Sequence, residues 1–78
     1  MISTDTDYIR LQQGFAFEMS LVAKQTVTAK LFENGDLCLF GTEIACLRIA
    51  YKYKNIDSKT KYHKQLDTWI VVFFNFSK

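Results

Sequence analysis

The dipeptide Asn34-Gly35 lies between two short apolar runs and constrains the fold more than any other feature of the chain. Asparagine and glycine tolerate the positive φ angles that both central positions of a type I′ turn require, and the twist of that turn matches the twist of paired strands. A two-residue turn at this point places Leu31 opposite Cys38. The dipeptide therefore predicts an antiparallel hairpin inside a β protein.

A second β signal is the alternation of apolar and polar residues between Ile9 and Leu21. Six odd-numbered positions in this stretch are apolar: Ile9, Leu11, Phe15, Phe17, Met19 and Leu21. Period-two alternation is typical of a strand with one buried face. We therefore predict a strand over residues 9–21, with Gly14 as a bulge or bend.

Residues 43–53 fit two kinds of element. Ala45, Leu47, Ile49, Tyr51 and Tyr53 alternate with more polar residues, which favours a strand. The same stretch also repeats Ile44, Leu47 and Tyr51 at helical spacing, and alanine and leucine favour helices. A strand is the main prediction, and a helix is the alternative.

Near the C-terminal end, residues 66–76 read LDTWIVVFFNF and are apolar on both faces of a predicted strand. Such a strand needs cover on both sides, either from the rest of the domain or from a partner. Trp69, Val71 and Phe73 share one of its faces. We expect this face to form a homodimer.

The predicted fold is all-β, a small antiparallel barrel or sandwich of about five strands in one compact domain, residues 1–78. The alternative is an α+β fold with a helix near residues 43–53. A hydrophobic content of 49% argues against disorder. A chain of 78 residues nevertheless buries only about 60 to 65% of its unfolded surface, so its stability margin is narrow.

Catalytic equipment is sparse in this sequence. It contains a single histidine, His63, and no glycine-rich phosphate loop, because its three glycines are far apart. Cys38 and Cys46 fit no disulfide framework, and with one histidine they do not supply a structural zinc site. We expect them to be buried free thiols, and we expect no enzyme activity, no catalytic residue, no metal and no cofactor.

No targeting or membrane segment is evident in the sequence. The N-terminus lacks the pattern of a secretory signal, and the longest apolar run, residues 69–74, is too short to cross a bilayer. We therefore predict a cytoplasmic protein that does not engage a membrane.

Positive charge is concentrated in residues 48–64, which hold six basic side chains against Asp57 alone. Tyrosines are interleaved with them, and the predicted binding residues are Arg48, Tyr51, Lys52, Tyr53, Lys54, Lys59, Lys61, Tyr62 and Lys64. Lysines neutralise acidic groups or phosphates, and tyrosine rings stack on bases. Lysines on an edge hairpin also prevent aggregation without binding any ligand, which is a third interpretation.

The function predicted from these features is that of a small non-enzymatic interaction protein. We expect it to bind a protein partner with an acidic surface, in the manner of phage or mobile-element inhibitors or regulators of a host defence complex. The alternative is a β domain that binds single-stranded nucleic acid through the lysine and tyrosine stretch.

Overall fold

The computed structural model describes residues 4–76, with side chains described from residue 9 onward. Two helices and four strands follow one another as α1 (Thr4–Ala23), β1 (Thr28–Leu31), β2 (Leu37–Gly41), α2 (Glu43–Lys52), β3 (Ser58–His63) and β4 (Thr68–Phe73). The strands form one antiparallel sheet in the order β1-β2-β4-β3. The antiparallel sheet was predicted, but it is not closed into a barrel. The α+β alternative therefore describes this chain.

The hairpin predicted at Asn34-Gly35 is present, with a register one residue away from the predicted one. Leu31 pairs with Leu37 rather than with Cys38. The Phe32 N–H donates to the Asp36 carbonyl at 2.9 Å, and the Gly35 N–H donates to the Phe32 carbonyl at 2.9 Å. The loop thus has three residues, a tight turn followed by Gly35 at φ 96°, and only this glycine takes a positive φ. Because strand side chains alternate, the one-residue difference exchanges the faces of one strand relative to the prediction.

Residues 9–21 are helical, so the strand predicted there is wrong. The buried and half-buried positions of α1 recur at intervals of three and four residues: Gln12, Phe15, Ala16, Met19, Ser20, Val22 and Ala23. Ile9, Leu11, Phe17 and Leu21 are exposed, and these residues created the apparent alternation. The Ser20 hydroxyl donates to the Ala16 carbonyl at 2.7 Å, a bond along the helix that a strand does not allow.

The C-terminal end of α1 is joined both to the following loop and to α2. Lys24 adopts a φ of 59°, and the Gln25 N–H returns to the Ser20 carbonyl at 3.2 Å, which is the six-to-one bond of a Schellman cap. The guanidinium of Arg48 donates to the Ala23 carbonyl at 2.7 Å. This hydrogen bond connects the end of α1 to the middle of α2.

Helix α2 confirms the alternative interpretation of residues 43–53. Thr42 is its N-cap, with a hydroxyl that accepts from the Ala45 N–H at 3.1 Å, and Glu43 adds a favourable negative charge to the first turn. Ala45, Cys46 and Ile49 are buried. Both helices lie on the same face of the sheet, which is covered by α2 at β2, β3 and β4 and by α1 at β1.

Between Thr68 and Phe73, the side chains of β4 alternate between the two predicted faces of the strand. The face that contains Trp69, Val71 and Phe73 is turned toward the core. Val71 and Phe73 are fully buried in the core cluster, and Trp69 packs against that cluster. The helices that cover these residues come from segments that were predicted to be strands. The structure therefore gives no support to a homodimer through Trp69, Val71 and Phe73, because the core of the domain itself buries two of these residues.

Replacing Gly14 in α1 and Gly35 in the turn with alanine should change the free energy of unfolding in opposite directions. A Cβ at Gly14 meets no atom within 4 Å, so Gly14→Ala should raise the free energy of unfolding by about 0.5 to 1 kcal/mol through better helix propensity. Gly35→Ala should lower it by about 1 to 2 kcal/mol, because alanine at a φ of 96° is strained. Chemical denaturation measures both values. A destabilising Gly14→Ala would contradict a helix at this position.

Candidate functional site

The nine residues predicted to bind a partner do not form one surface. Arg48, Tyr51, Lys52 and Lys54 lie on α2 or directly after it, on the helical side of the sheet. Lys59 and Lys61 lie on β3, at positions that alternate with residues facing the helices, and so belong to the opposite side. The sheet itself separates the two groups.

Two of the predicted tyrosines serve the structure of the domain. The half-buried Tyr53 ring packs edge-on against Phe73 and Phe76, with ring centroids 5.9 and 6.3 Å apart. Tyr62 packs edge-on against Trp69. Its hydroxyl donates to the Asp67 carboxylate, and this hydrogen bond raises the pKa of Tyr62.

Lys64 is exposed in the loop between β3 and β4 and belongs to neither element. The stretch of alternating lysines and tyrosines is thus not a single stacking surface.

An apolar groove with a basic rim lies between the end of α1 and the outer face of α2. Its volume is about 700 Å³. Its lining consists of Val22, Lys24, Ile44, Leu47, Arg48, Tyr51, Lys52 and Lys54. We call this site the helical groove.

The apolar part of the helical groove comes mainly from α2. Ile44, Leu47 and Tyr51 recur at i, i+3 and i+7, so they share one side of the helix, while Ala45, Cys46 and Ile49 face the core. Each of the three groove residues is at least half exposed, and Tyr51 is 75% exposed. Helix α2 therefore has two apolar sides, one of which remains accessible to a ligand.

The charge of the helical groove has one sign. Four of its eight lining residues are basic and none is acidic. The Lys54 Nζ lies 5.1 Å from the centre of the Tyr51 ring, a cation–π distance that draws the ammonium over the aromatic face. Arg48 is held in place by its hydrogen bond to the Ala23 carbonyl. The groove therefore combines an apolar floor with cations that attract negative groups.

Both cysteines are buried free thiols, as predicted. Burial raises the pKa of Cys46 to about 11, with a smaller contribution from Cys38. Burial also raises the pKa of Cys38, against the opposing effect of the Lys61 and Lys30 charges. Neither group is a thiolate at neutral pH, so neither is a ready nucleophile. Within residues 4–76, no cluster of histidine, cysteine and acidic residues is suited to hold a metal ion.

Comparisons with known proteins returned no match to a family model, to a curated protein or to a solved structure. Neither helix in the described part of the chain has the length and apolar character to cross a membrane. A functional assignment therefore rests on the geometry of the surfaces alone.

The sequence indicated four of the eight residues that line the helical groove and missed the other four. Arg48, Tyr51, Lys52 and Lys54 were predicted to bind. Val22, Lys24, Ile44 and Leu47 were not among the predicted binding residues. The helical spacing of Ile44, Leu47 and Tyr51 was the available signal, and it becomes informative once residues 43–52 are known to be a helix.

Thiol titration tests the placement of the two cysteines. We expect Cys38 and Cys46 to react with a thiol reagent at least about tenfold more slowly in the native protein than in denatured protein, where both are titratable, because each is buried and protonated at neutral pH. In a Cys46→Ala variant Cys38 is the single thiol, so the reaction rate of that variant is the rate of Cys38 alone. Rapid modification of Cys46 in the native state would contradict its burial on the core-facing side of α2.

Proposed function

We propose that this chain is a non-enzymatic protein-binding domain whose helical groove receives an acidic, amphipathic segment of a protein partner. The observation that carries the proposal is the coincidence of three accessible apolar side chains with four cations and no acidic residue in one lining. An amphipathic helix that docks in a groove uses apolar anchors at i, i+3, i+4 and i+7, and acidic residues beside those anchors match a basic rim.

The apolar contacts supply only part of the binding energy. Burying a whole leucine or isoleucine side chain contributes about 1.5 to 3 kcal/mol, so each half-exposed anchor contributes about 1 kcal/mol. Three such anchors remain well short of the roughly 8 kcal/mol that micromolar affinity requires. The partner must therefore also use the rim, where Lys52 and Lys54 steer an acidic segment and favour its approach.

Occupation of a partner's surface is the mode of action that this geometry favours. The cysteines are protonated and buried, and the groove offers hydrophobic and cationic contacts rather than acid–base chemistry. The proposal thus retains the class predicted from the sequence, an inhibitor or regulator of a larger complex such as a host defence assembly. The basic rim of the helical groove supports the acidic character that was predicted for the partner.

Quantitative affinity capture from nuclease-treated native lysate tests the proposal with two groove variants. Leu47→Asp places a negative charge on the apolar floor, and the Lys52→Glu, Lys54→Glu double variant inverts part of the rim. We expect each to reduce recovery of the bound partner by about tenfold or more, the equivalent of roughly 1.4 kcal/mol. All substituted residues are exposed, so folding should be preserved.

Each groove variant has a matched control elsewhere on the chain. Leu66→Asp makes the same change at a leucine that is 58% exposed in the β3–β4 loop, compared with 51% for Leu47. Lys59→Glu, Lys61→Glu changes the net charge equally on the opposite side of the sheet. Both controls should retain the partner at the wild-type level. Equal retention by all four variants would contradict a role for the helical groove.

A further inference from the structure

The second face of the sheet is not covered by either helix, and its side chains form regular rows. One row runs across all four strands as Lys30, Cys38, Val72 and Lys59. The next row contains Thr28, Phe40, Ile70 and Lys61. Cationic side chains thus occupy both outer strands, while the two central strands are apolar on this face.

Positive charge dominates this open face. No residue of the four described strands is acidic, and Lys30, Lys59 and Lys61 are all exposed. Lys30 lies on β1 and Lys61 on β3, so the two residues flank the apolar side chains of the central strands. Burial raises the pKa of the Cys38 thiol, and the charges of Lys61 and Lys30 oppose that shift. A chain of negative charges that crosses the strands would meet a cation on each side.

Aromatic rings extend the open face beyond the strand ends. The Phe32 N–H donates to the Asp36 carbonyl, and the Phe74 N–H donates to the Asp57 carbonyl at 3.0 Å, so both residues extend the hydrogen-bonded strand pairs by one residue. Because each follows a residue that faces the helices, alternation assigns both to the open face. Each is 41% exposed. The Lys30 Nζ lies 5.6 Å from the centre of the Phe32 ring.

Three acidic residues lie at the same end of the sheet: Glu33 and Asp36 in the β1–β2 loop and Asp57 directly before β3. Of these, Asp36 is engaged by neighbouring residues. The Asp36 carboxylate accepts from the Asn75 N–H at 2.8 Å and from the Asn34 amide at 3.2 Å. These hydrogen bonds hold the β1–β2 loop against the end of β4. Asp36 therefore has a structural role beside the two exposed phenylalanines.

We propose that the open face binds single-stranded nucleic acid. Phosphates contact Lys30, Lys59 and Lys61, and bases stack on Phe32, Phe40 and Phe74; we call these six residues the sheet platform. Stacking on aromatic rings beside a basic track is the physical basis of single-strand binding, and it requires bases that are not paired in a duplex. The platform lies opposite the helical groove, so this inference stands independently of the proposed protein partner.

Charge and burial favour this occupant over two others. A second copy of the chain packed face to face would bring lysines against lysines, which is unfavourable. A protein interface needs a well-packed apolar centre, but Cys38 and Ile70 at the centre are only 5% exposed and offer little further area to bury. What remains accessible is cations and ring faces, and these match phosphates and bases.

Fluorescence anisotropy with a labelled single strand of about 15 nucleotides, as oligothymidylate and as oligouridylate, tests the proposal. Wild type should bind in the micromolar range near 50 mM salt and more weakly near 150 mM. Three phosphate contacts predict a slope of about −2 on a log–log plot of affinity against salt. Lys59→Glu, Lys61→Glu should weaken binding by about tenfold or more and flatten that slope by about 1.4.

Substitutions of the aromatic residues distinguish base stacking from a general electrostatic attraction to a polyanion. Phe32→Leu and Phe74→Leu keep an apolar side chain but remove the ring, and each should lower affinity by about fivefold or more. Lys52→Glu, Lys54→Glu is the matched control, because it makes the same charge change beside the helical groove; it should stay within about threefold of wild type. Unfolding curves for every variant show whether the fold is retained.

Four results would overturn the sheet platform. They are the absence of binding near 50 mM salt, equal weakening by the Lys52→Glu, Lys54→Glu control, affinity that is unchanged in both leucine variants, and equally tight binding of polyglutamate. The last result would indicate a surface for acidic protein segments rather than for nucleic acid. Loss of oligonucleotide binding in platform variants together with intact protein capture would leave the groove proposal standing.

Discussion

Packing of the two helices against one face of the sheet is the interaction on which the rest of the structure depends. Leu37, Leu39, Val71 and Phe73 are fully buried there, and they form the centre of the core with residues of both helices. A chain of this length has enough material to cover one face of a four-stranded sheet. Since strand side chains alternate, covering that face leaves Phe40, Lys59 and their neighbours on the other. Both candidate surfaces follow from this division.

The fold was predictable wherever local chemistry alone decides it. The glycine turn and the alternation of β4 are encoded over a few residues, and both are found in the structure. Over residues 9–21, exposed apolar side chains such as Phe17 and Leu21 imitate the period of a strand, although the buried positions follow a helix. Sequence alone does not reveal which apolar residues will be exposed, because packing against the sheet decides this. The hairpin register was wrong by one residue because Asn34-Gly35 fits a three-residue loop as well as the two-residue turn that was predicted.

The candidate sites were predictable as a composition but not as a surface. The excess of basic residues between Arg48 and Lys64 is real, yet α2 ends at Lys52 and β3 begins at Ser58. A short connection leads from the helical layer into the sheet, where alternation directs Lys59 and Lys61 to the opposite side. Tyr53 is drawn into the core by Phe73 and Phe76. The aromatic rings that accompany the β3 lysines come from other strands, distant in sequence. Only the sheet order brings them together.

Exposed apolar residues are common on small domains and do not indicate a function by themselves. The helical groove differs because its cations accompany the apolar side chains in one lining. Two copies that met groove to groove would oppose Lys52 and Lys54 with their own equivalents, so the rim disfavours such an arrangement, whereas the proposed acidic partner would complement it. The open sheet face is protected in the same way by Lys30, Lys59 and Lys61. On both sides of this domain, exposed lysines therefore lie beside apolar or aromatic side chains, an arrangement that suits the negatively charged ligands proposed for each surface.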